Sequence, residues 1–99
     1  MPTPSLLSRF RGCLLAGAAG DALGAPLEFT PLDEIIGQFG PAGPAELETG
    51  PYPAGSFTDD TQMTLFVAEG LIRCLNRRRK SRAEPDIRIM LHAHWRWLR

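Results

Sequence analysis

The chain changes from loop to helix within the stretch Ser56-Phe57-Thr58-Asp59-Asp60-Thr61-Gln62-Met63. Before it, residues 40–55 carry four glycines and four prolines, which excludes regular helix and a central strand. After it, apolar residues recur at three- and four-residue steps. Thr58 is a suitable N-cap, and acids in the first turn offset the positive end of a helix. The stretch therefore predicts a helix capped by Thr58, with a buried face formed by Met63, Phe66, Val67, Leu71, Cys74 and Leu75.

Three further segments have helical patterns. The first runs from a Ser5 cap to about Leu23, with an apolar stripe of Leu6, Leu7, Phe10, Cys13 and Leu14. The second covers about residues 31–38, with Thr30 as cap, Pro31 at the first helical position and Gly37 or Gly40 at the end. The last opens after Asp86 and is still running at Arg99. Since no alternating strand pattern or internal repeat competes, the sequence predicts an all-α fold.

Small residues replace large ones in the second half of the first helix. Gly17 and Gly20 lie on its stripe, although glycine inside a helix costs up to ~1 kcal/mol relative to alanine. That cost predicts a neighbouring backbone packed closely against this part of the helix.

The charges are divided unevenly along the chain. Residues 1–72 hold nine acids and two bases, net −7, and residues 73–99 hold nine bases and two acids, net +7. The overall charge of zero gives no general reason for nucleic-acid or membrane binding. The basic run at residues 77–82 lacks interleaved aromatic residues and is expected to be a solvated helix end. A nucleic-acid-binding helix remains an alternative, which salt-sensitive binding would reveal.

Other features favour ordinary structural roles. Cys13 and Cys74 are expected to be small buried residues, because their spacing indicates neither a disulfide framework nor a metal motif. Asp21 interrupts the apolar run at residues 12–20, which argues against a secretory signal and a membrane span. We therefore expect a soluble, cytoplasmic protein. The histidines and the tryptophans of the last helix are each two residues apart, so one of each pair should lie in the core: His92 or His94, and Trp95 or Trp97.

The Thr58-Asp59-Asp60 group has the chemistry of a site for a hard cation. One hydroxyl and two carboxylates at the start of a helix can project beyond its end, and magnesium is the natural candidate for a site made only of oxygen ligands. The helix-capping interpretation of the same residues stays open at this point.

A second group of interest lies in the stretch Gly20-Asp21-Ala22-Leu23-Gly24-Ala25-Pro26-Leu27-Glu28. Asp21 is at an apolar helix end, where a carboxylate must find a partner. These carboxylates could cap a backbone amide, or serve as a general base or a substrate-binding acid. The stretch has neither a G-x-G-x-x-G pattern nor a preceding strand, so a dinucleotide-phosphate loop is disfavoured.

Taken together, the motifs resemble the amino-terminal region of the ADP-ribosylglycohydrolase family. The resemblance rests on Phe10-Arg11-Gly12, on residues 20–24 with Glu28, and on residues 58–61 with Met63, in that order along the chain. It implies an all-α, multi-helix fold that holds two magnesium ions in a cleft. It also implies a hydrolase that releases ADP-ribose from a modified protein or a small-molecule acceptor, with water replacing the leaving group at the anomeric carbon while the metals orient the substrate and stabilise charge.

The resemblance also implies a role for each site residue. Thr58, Asp59 and Asp60 match the family's first group of metal ligands. Glu28 matches the acid beside the substrate, a catalytic acid/base or a gate near the metals. Asp21 would support the site from behind.

One departure from the family pattern is serious. The family's second ligand group, an aspartate-x-aspartate-threonine motif from near its carboxyl end, has no counterpart in residues 1–99. We therefore expect this chain to be the amino-terminal part of a single domain, inactive and poorly packed without the carboxyl-terminal segment of the same fold. The alternative is a non-catalytic helical module or gene remnant that binds ADP-ribose or a partner chain.

Overall fold

Residues 2–82 and 84–99 are described by a computed structural model, in which every regular element is a helix. The elements in chain order are α1 (Leu6–Gly24), a 3₁₀ turn (Ala25–Leu27), α2 (Leu32–Phe39), α3 (Asp59–Ser81) and α4 (Ile87–Trp97). The all-α prediction is confirmed. The chain divides into two compact units, Met1–Thr58 and Asp59–Arg99.

In the first unit, α1 begins as the sequence predicts. The hydroxyl oxygen of Ser5 accepts a hydrogen bond from the backbone N–H of Ser8 at 3.1 Å, which satisfies one of the unpaired amides of the first turn. At the other end, the N–H of Ala25 donates to the carbonyl oxygen of Asp21. Helix α1 therefore passes directly into the 3₁₀ turn.

The start of α2 differs from the prediction by one residue. Pro31 has an extended backbone, with φ −58° and ψ 147°, so it lies at the N-cap and the helix begins at Leu32. Thr30 is not the cap, because the first helical hydrogen bond runs from the N–H of Ile35 to the carbonyl oxygen of Pro31 at 3.1 Å. The N–H of Thr30 instead closes the preceding turn by donating to the carbonyl oxygen of Leu27 at 2.9 Å. Gly40 ends the helix with φ +79°, a conformation that favours glycine.

The predicted loop between α2 and α3 is confirmed. Residues 40–58 contain no helix or strand, and Gly43 and Gly55 have positive φ angles of 76° and 84°. A turn closes where the N–H of Gly43 donates to the carbonyl oxygen of Gly40 at 3.1 Å. Glycine at these positions lets the chain turn without the steric cost that a side chain would add.

In the second unit, α3 and α4 pack against each other through small residues. A Cβ atom placed on Gly70 would lie 3.0 Å from the Cβ of Ala93 and 3.2 Å from the sulfur of Met90. Ala93 is fully buried. Nearer the helix ends, the indole Nε1 of Trp97 donates to the side-chain oxygen of Gln62 at 3.1 Å. The close approach at Gly70 fixes where the two helices meet.

The buried face predicted for α3 is only partly correct. Four of its members are half-buried: Met63, Phe66, Val67 and Cys74. Leu71 and Leu75 are exposed, at 50% and 58%. The reason is that α4 packs on the Gly70 side of α3, and a single neighbouring helix covers only a narrow strip.

The close packing predicted along α1 is wrong for the residues that the structure describes. A Cβ atom added to Gly17 or Gly20 would meet no described atom within 4 Å. Phe10 and Leu6, on the apolar stripe, are 62% and 65% exposed, and Cys13 is exposed rather than buried. The sequence of α1 therefore has an apolar face that the described residues leave uncovered.

The end of α3 and the paired residues of α4 agree better with expectation. Helix α3 ends at Ser81 within the basic run, and Arg82 follows with a positive φ of 51°. In α4, His94 and Trp97 are half-buried while their partners in the two pairs, His92 and Trp95, are exposed. Among the described residues, no helix combines the length and apolar character needed to cross a bilayer.

Candidate active site

Asp21 and Thr58 are joined by two short hydrogen bonds. The backbone N–H of Thr58 donates to Oδ2 of Asp21 at 2.8 Å, and the hydroxyl of Thr58 donates to Oδ1 at 2.7 Å. Both side chains are half-buried. Hydrogen bonds to an ionised group contribute about 1.5–3 kcal/mol each when shielded from water. The pair therefore holds the end of the long loop on the last turn of α1.

Glu28 lies in the same unit, at the end of the 3₁₀ turn that follows α1. Its N–H donates to the carbonyl oxygen of Ala25 at 3.5 Å, and its backbone remains helical, with φ −50° and ψ −38°. Glu28 is exposed, and the neighbouring Phe29 is 89% exposed. A substrate could therefore reach the Glu28 carboxylate from solvent.

The long loop also contacts the turn that carries Glu28. A Cβ atom added to Gly50 would lie 2.9 Å from both Cα and Cβ of Pro26. Such a distance is too short for carbon atoms, and Pro26 is too rigid to move aside alone. The loop approaches the turn this closely because residue 50 has no side chain. Gly50 therefore fixes the loop against Pro26, two residues before Glu28.

Asp59 and Asp60 are the first two residues of α3 and directly follow Thr58 in the chain. Both are exposed. The hydroxyl of Thr64 donates to the backbone carbonyl of Asp60 at 2.8 Å, one turn into the helix. Thr61, which follows Asp60 in the chain, is buried, with 7% of its surface exposed. Asp59 and Asp60 thus lie in the first turn, as the sequence predicts.

The oxygen donors of Thr58, Asp59 and Asp60 are chemically suited to magnesium, which prefers hydroxyl, carboxylate and water oxygens. The set is small, however. Within residues 2–82 and 84–99, no group of three or more histidine, cysteine, aspartate or glutamate side chains is placed to hold a metal ion.

Several arginines of the basic half form ion pairs with Glu69 or Asp86. Glu69 pairs with Arg73 and Arg96, and the hydrogen bond from Arg73 is the main cause of the lowered pKa of the Glu69 carboxyl. Asp86 pairs with Arg88 at 2.9 Å, and that hydrogen bond lowers the pKa of Asp86 below its usual value. The Glu69–Arg96 pair connects α3 to α4, and the pairs together give these arginines a structural role.

Sequence reasoning missed two features of this region. It recognised that Asp21 needs a partner but did not identify Thr58, which is 37 residues away in the chain. It also gave no role to Gly50. The packing of Gly50 against Pro26 is a contact between two distant segments, and the local sequence around neither residue indicates it. The clue to the Asp21–Thr58 pair was that a carboxylate at an apolar helix end needs a hydrogen-bond donor.

Comparison with known proteins identifies the class of protein that carries these motifs. The sequence profile of the ADP-ribosylglycohydrolase family matches residues 2–99. The chain belongs to the ADP-ribosylglycohydrolase family.

Several curated relatives share this segment. ADP-ribosylarginine hydrolase Tri1 of Serratia proteamaculans is 33% identical over 100 residues, and Tri1 of Pseudomonas putida is 36% identical over 94. ADP-ribosyl-[dinitrogen reductase] glycohydrolase of Rhodospirillum rubrum is 40% identical over 75 residues. The alignments cover 100%, 94% and 72% of this chain, but only 24%, 22% and 24% of the relatives. The chain thus spans about a quarter of their length, and no solved structure matches it significantly.

The contact between Gly50 and Pro26 generates a testable prediction. Replacing Gly50 by alanine forces the loop away from the turn, and overpacking of this kind costs about 1–3 kcal/mol. We expect lower stability in urea unfolding and shifted amide signals at Leu27 and Glu28 in nuclear magnetic resonance spectra. Gly37→Ala is the matched control, since a Cβ there meets no described atom within 4 Å. Equal effects from both variants would contradict a specific role for Gly50.

Proposed function

We propose that this chain supplies the amino-terminal part of a magnesium-dependent hydrolase that releases ADP-ribose from a modified acceptor. The observation that carries the proposal is the sequence Thr58-Asp59-Asp60 at the start of α3, with Thr58 held by Asp21, in a member of the ADP-ribosylglycohydrolase family. Helix capping alone accounts for acids in a first turn. It does not require a further carboxylate, that of Asp21, to accept hydrogen bonds from both the N–H and the hydroxyl of Thr58.

Each site residue has a role in the proposed reaction. Thr58, Asp59 and Asp60 would hold magnesium through oxygen atoms. When bound, magnesium would supply positive charge that stabilises the charge developing in the transition state. Glu28 would move a proton to or from the reacting groups, and its exposed position on the turn held by Gly50 supports that role.

We further propose that the acceptor is an ADP-ribosylated protein. Two relatives are named ADP-ribosylarginine hydrolases, and a third is named for its action on dinitrogen reductase. A small ADP-ribose derivative is the alternative acceptor. Reaction in the cytoplasm is part of the same proposal.

The chain would act together with a carboxyl-terminal segment of the same fold. Large apolar side chains are exposed on α1, α3 and α4, among them Leu15, Ile72 and Trp95. Exposed apolar area of this extent favours association. The relatives, about four times as long, contain the additional chain that could cover these faces and complete the metal site.

A non-catalytic helical module is the second candidate function. It is favoured by one observation, the lack of a three-residue metal-binding group among the described residues. Such a module would bind ADP-ribose or a partner chain without hydrolysis, so magnesium-dependent release of ADP-ribose separates the two candidates.

Magnesium binding by the complete site should depend on Asp59 and Asp60. Removing either carboxylate leaves the cation short of an anionic oxygen, so Asp59→Asn and Asp60→Asn should each weaken magnesium binding. Calorimetric titration of the chain, mixed with a carboxyl-terminal segment of a full-length relative, measures this. Unchanged magnesium affinity in both variants would contradict metal binding and show that the motif serves only to cap the helix.

Glu28→Gln should lower turnover by about 10²–10⁴-fold, because a positioned acid/base is lost while the shape of the side chain is kept. Folding and magnesium affinity should remain nearly unchanged. Single-turnover release of ADP-ribose in the same mixture, with circular dichroism as the folding control, measures both effects. Reduced stability with normal turnover of the folded fraction would make Glu28 a structural carboxylate.

A further inference from the structure

Asp21 takes both hydrogen-bond donors of Thr58, the residue at the start of the proposed metal-binding motif. We propose that Asp21 is a positioning residue that turns the Thr58 hydroxyl into a pure electron-pair donor for a divalent cation. This inference rests on the proposed function, in which Thr58 is a metal ligand. It adds a residue that acts on the metal through another side chain.

The argument begins with the direction of the hydroxyl hydrogen. A hydroxyl has one hydrogen and two lone pairs, whereas an ionised carboxylate can only accept. The hydrogen between Oγ1 of Thr58 and Oδ1 of Asp21, 2.7 Å apart, therefore belongs to Thr58 and points toward Asp21. The lone pairs of Oγ1 point elsewhere, and a cation binds a hydroxyl through its lone pairs.

The second hydrogen bond fixes the position of this oxygen. The Thr58 N–H donates to Oδ2 of the same carboxylate at 2.8 Å, so backbone and side chain are held by one rigid group. Threonine is branched at Cβ and has restricted rotation about χ1. Together these constraints leave Oγ1 little freedom to turn its hydrogen toward a cation.

A simple tether between loop and helix would not need a carboxylate. Asparagine at position 21 could still accept one hydrogen bond through its side-chain oxygen, but its amide nitrogen only donates. If the oxygen takes the Thr58 N–H, the NH₂ group faces Oγ1 and the hydroxyl hydrogen must turn away from residue 21. The tether would survive, while the hydroxyl would lose the acceptor that holds its hydrogen in one direction.

The test uses the chain mixed with a carboxyl-terminal segment of a full-length relative, with Mn²⁺ as a paramagnetic probe of the divalent-cation site and Mg²⁺ as competitor. Binding is measured from Mn²⁺-induced broadening of the amide signals of residues 58–60 and its reversal by Mg²⁺. The variants are Asp21→Asn, Thr58→Val and the double variant, with Asp59→Asn to report loss of a direct ligand. Asp33→Asn, an exposed acid in the first turn of α2, is the matched control.

We expect Asp21→Asn to weaken Mn²⁺ binding by about 10–100-fold, the usual effect of removing a partner that orients a metal ligand. Thr58→Val should weaken it at least as much. The double variant should bind no more weakly than Thr58→Val alone, because Asp21 acts through the hydroxyl that valine lacks. Asp33→Asn should bind like the parent chain.

Several results would overturn the inference. If Asp21→Asn leaves binding unchanged while Asp59→Asn abolishes it, the metal site stands and Asp21 does not position it. Additive losses in the double variant would show that Asp21 acts independently of Thr58. If Asp59→Asn and Thr58→Val also have no effect, the proposed metal site itself fails, and the inference fails with it.

A second variant covers the case in which Asp21→Asn does not fold, as judged by its circular dichroism. Asp21→Glu keeps both acceptors but moves them by one methylene group. Binding between that of the parent chain and that of Thr58→Val would support the inference, and binding equal to the parent chain would overturn it.

Discussion

The two hydrogen bonds between Asp21 and Thr58 are the constraint on which the first unit depends. They close the long irregular segment that follows α2, by joining its last residue to the last turn of α1. A segment so rich in glycine and proline has little preference of its own for one conformation, and ordering it costs conformational entropy. A charged partner at its end, together with the close contact of Gly50 on Pro26, offsets that cost.

The same constraint connects structure to the proposed chemistry. Residues from α1, from the 3₁₀ turn and from the loop end meet in one unit because Asp21 binds Thr58 and Gly50 packs on Pro26. If the proposed metal site exists, this arrangement would prepare one side of it before any cation binds. Pre-organisation of this kind lowers the reorganisation required at binding.

The sequence predicted local features well because local patterns encode them. The four helices, the Ser5 cap and the loop follow from spacing, capping residues and proline, and the structure confirms them. Two bounds were wrong, since α2 begins one residue later than predicted and α4 ends at Trp97 rather than running on to Arg99. Burial was predicted less well, since it depends on which neighbour is present. Leu71, Leu75 and Cys13 lie on apolar stripes yet are exposed. The pairing of Asp21 with Thr58 depends on the path of the intervening loop, which no local pattern specifies. The chemical roles assigned to the site residues remain predictions, for Asp21, Glu28, Thr58, Asp59 and Asp60 alike.

The central claim is that this chain provides one part of a magnesium-dependent site for hydrolysis of ADP-ribosylated protein. The most direct measurement is release of ADP-ribose from such a substrate by the purified chain, with magnesium, before and after adding a separately expressed carboxyl-terminal segment of a full-length relative. We predict no release by either segment alone, and release by the mixture that is lost on chelation of magnesium or with Asp59→Asn in this chain. Two results would contradict the account. One is release of ADP-ribose by the chain alone that does not change when the second segment is added. The other is the lack of release by a mixture in which the two segments are shown to associate.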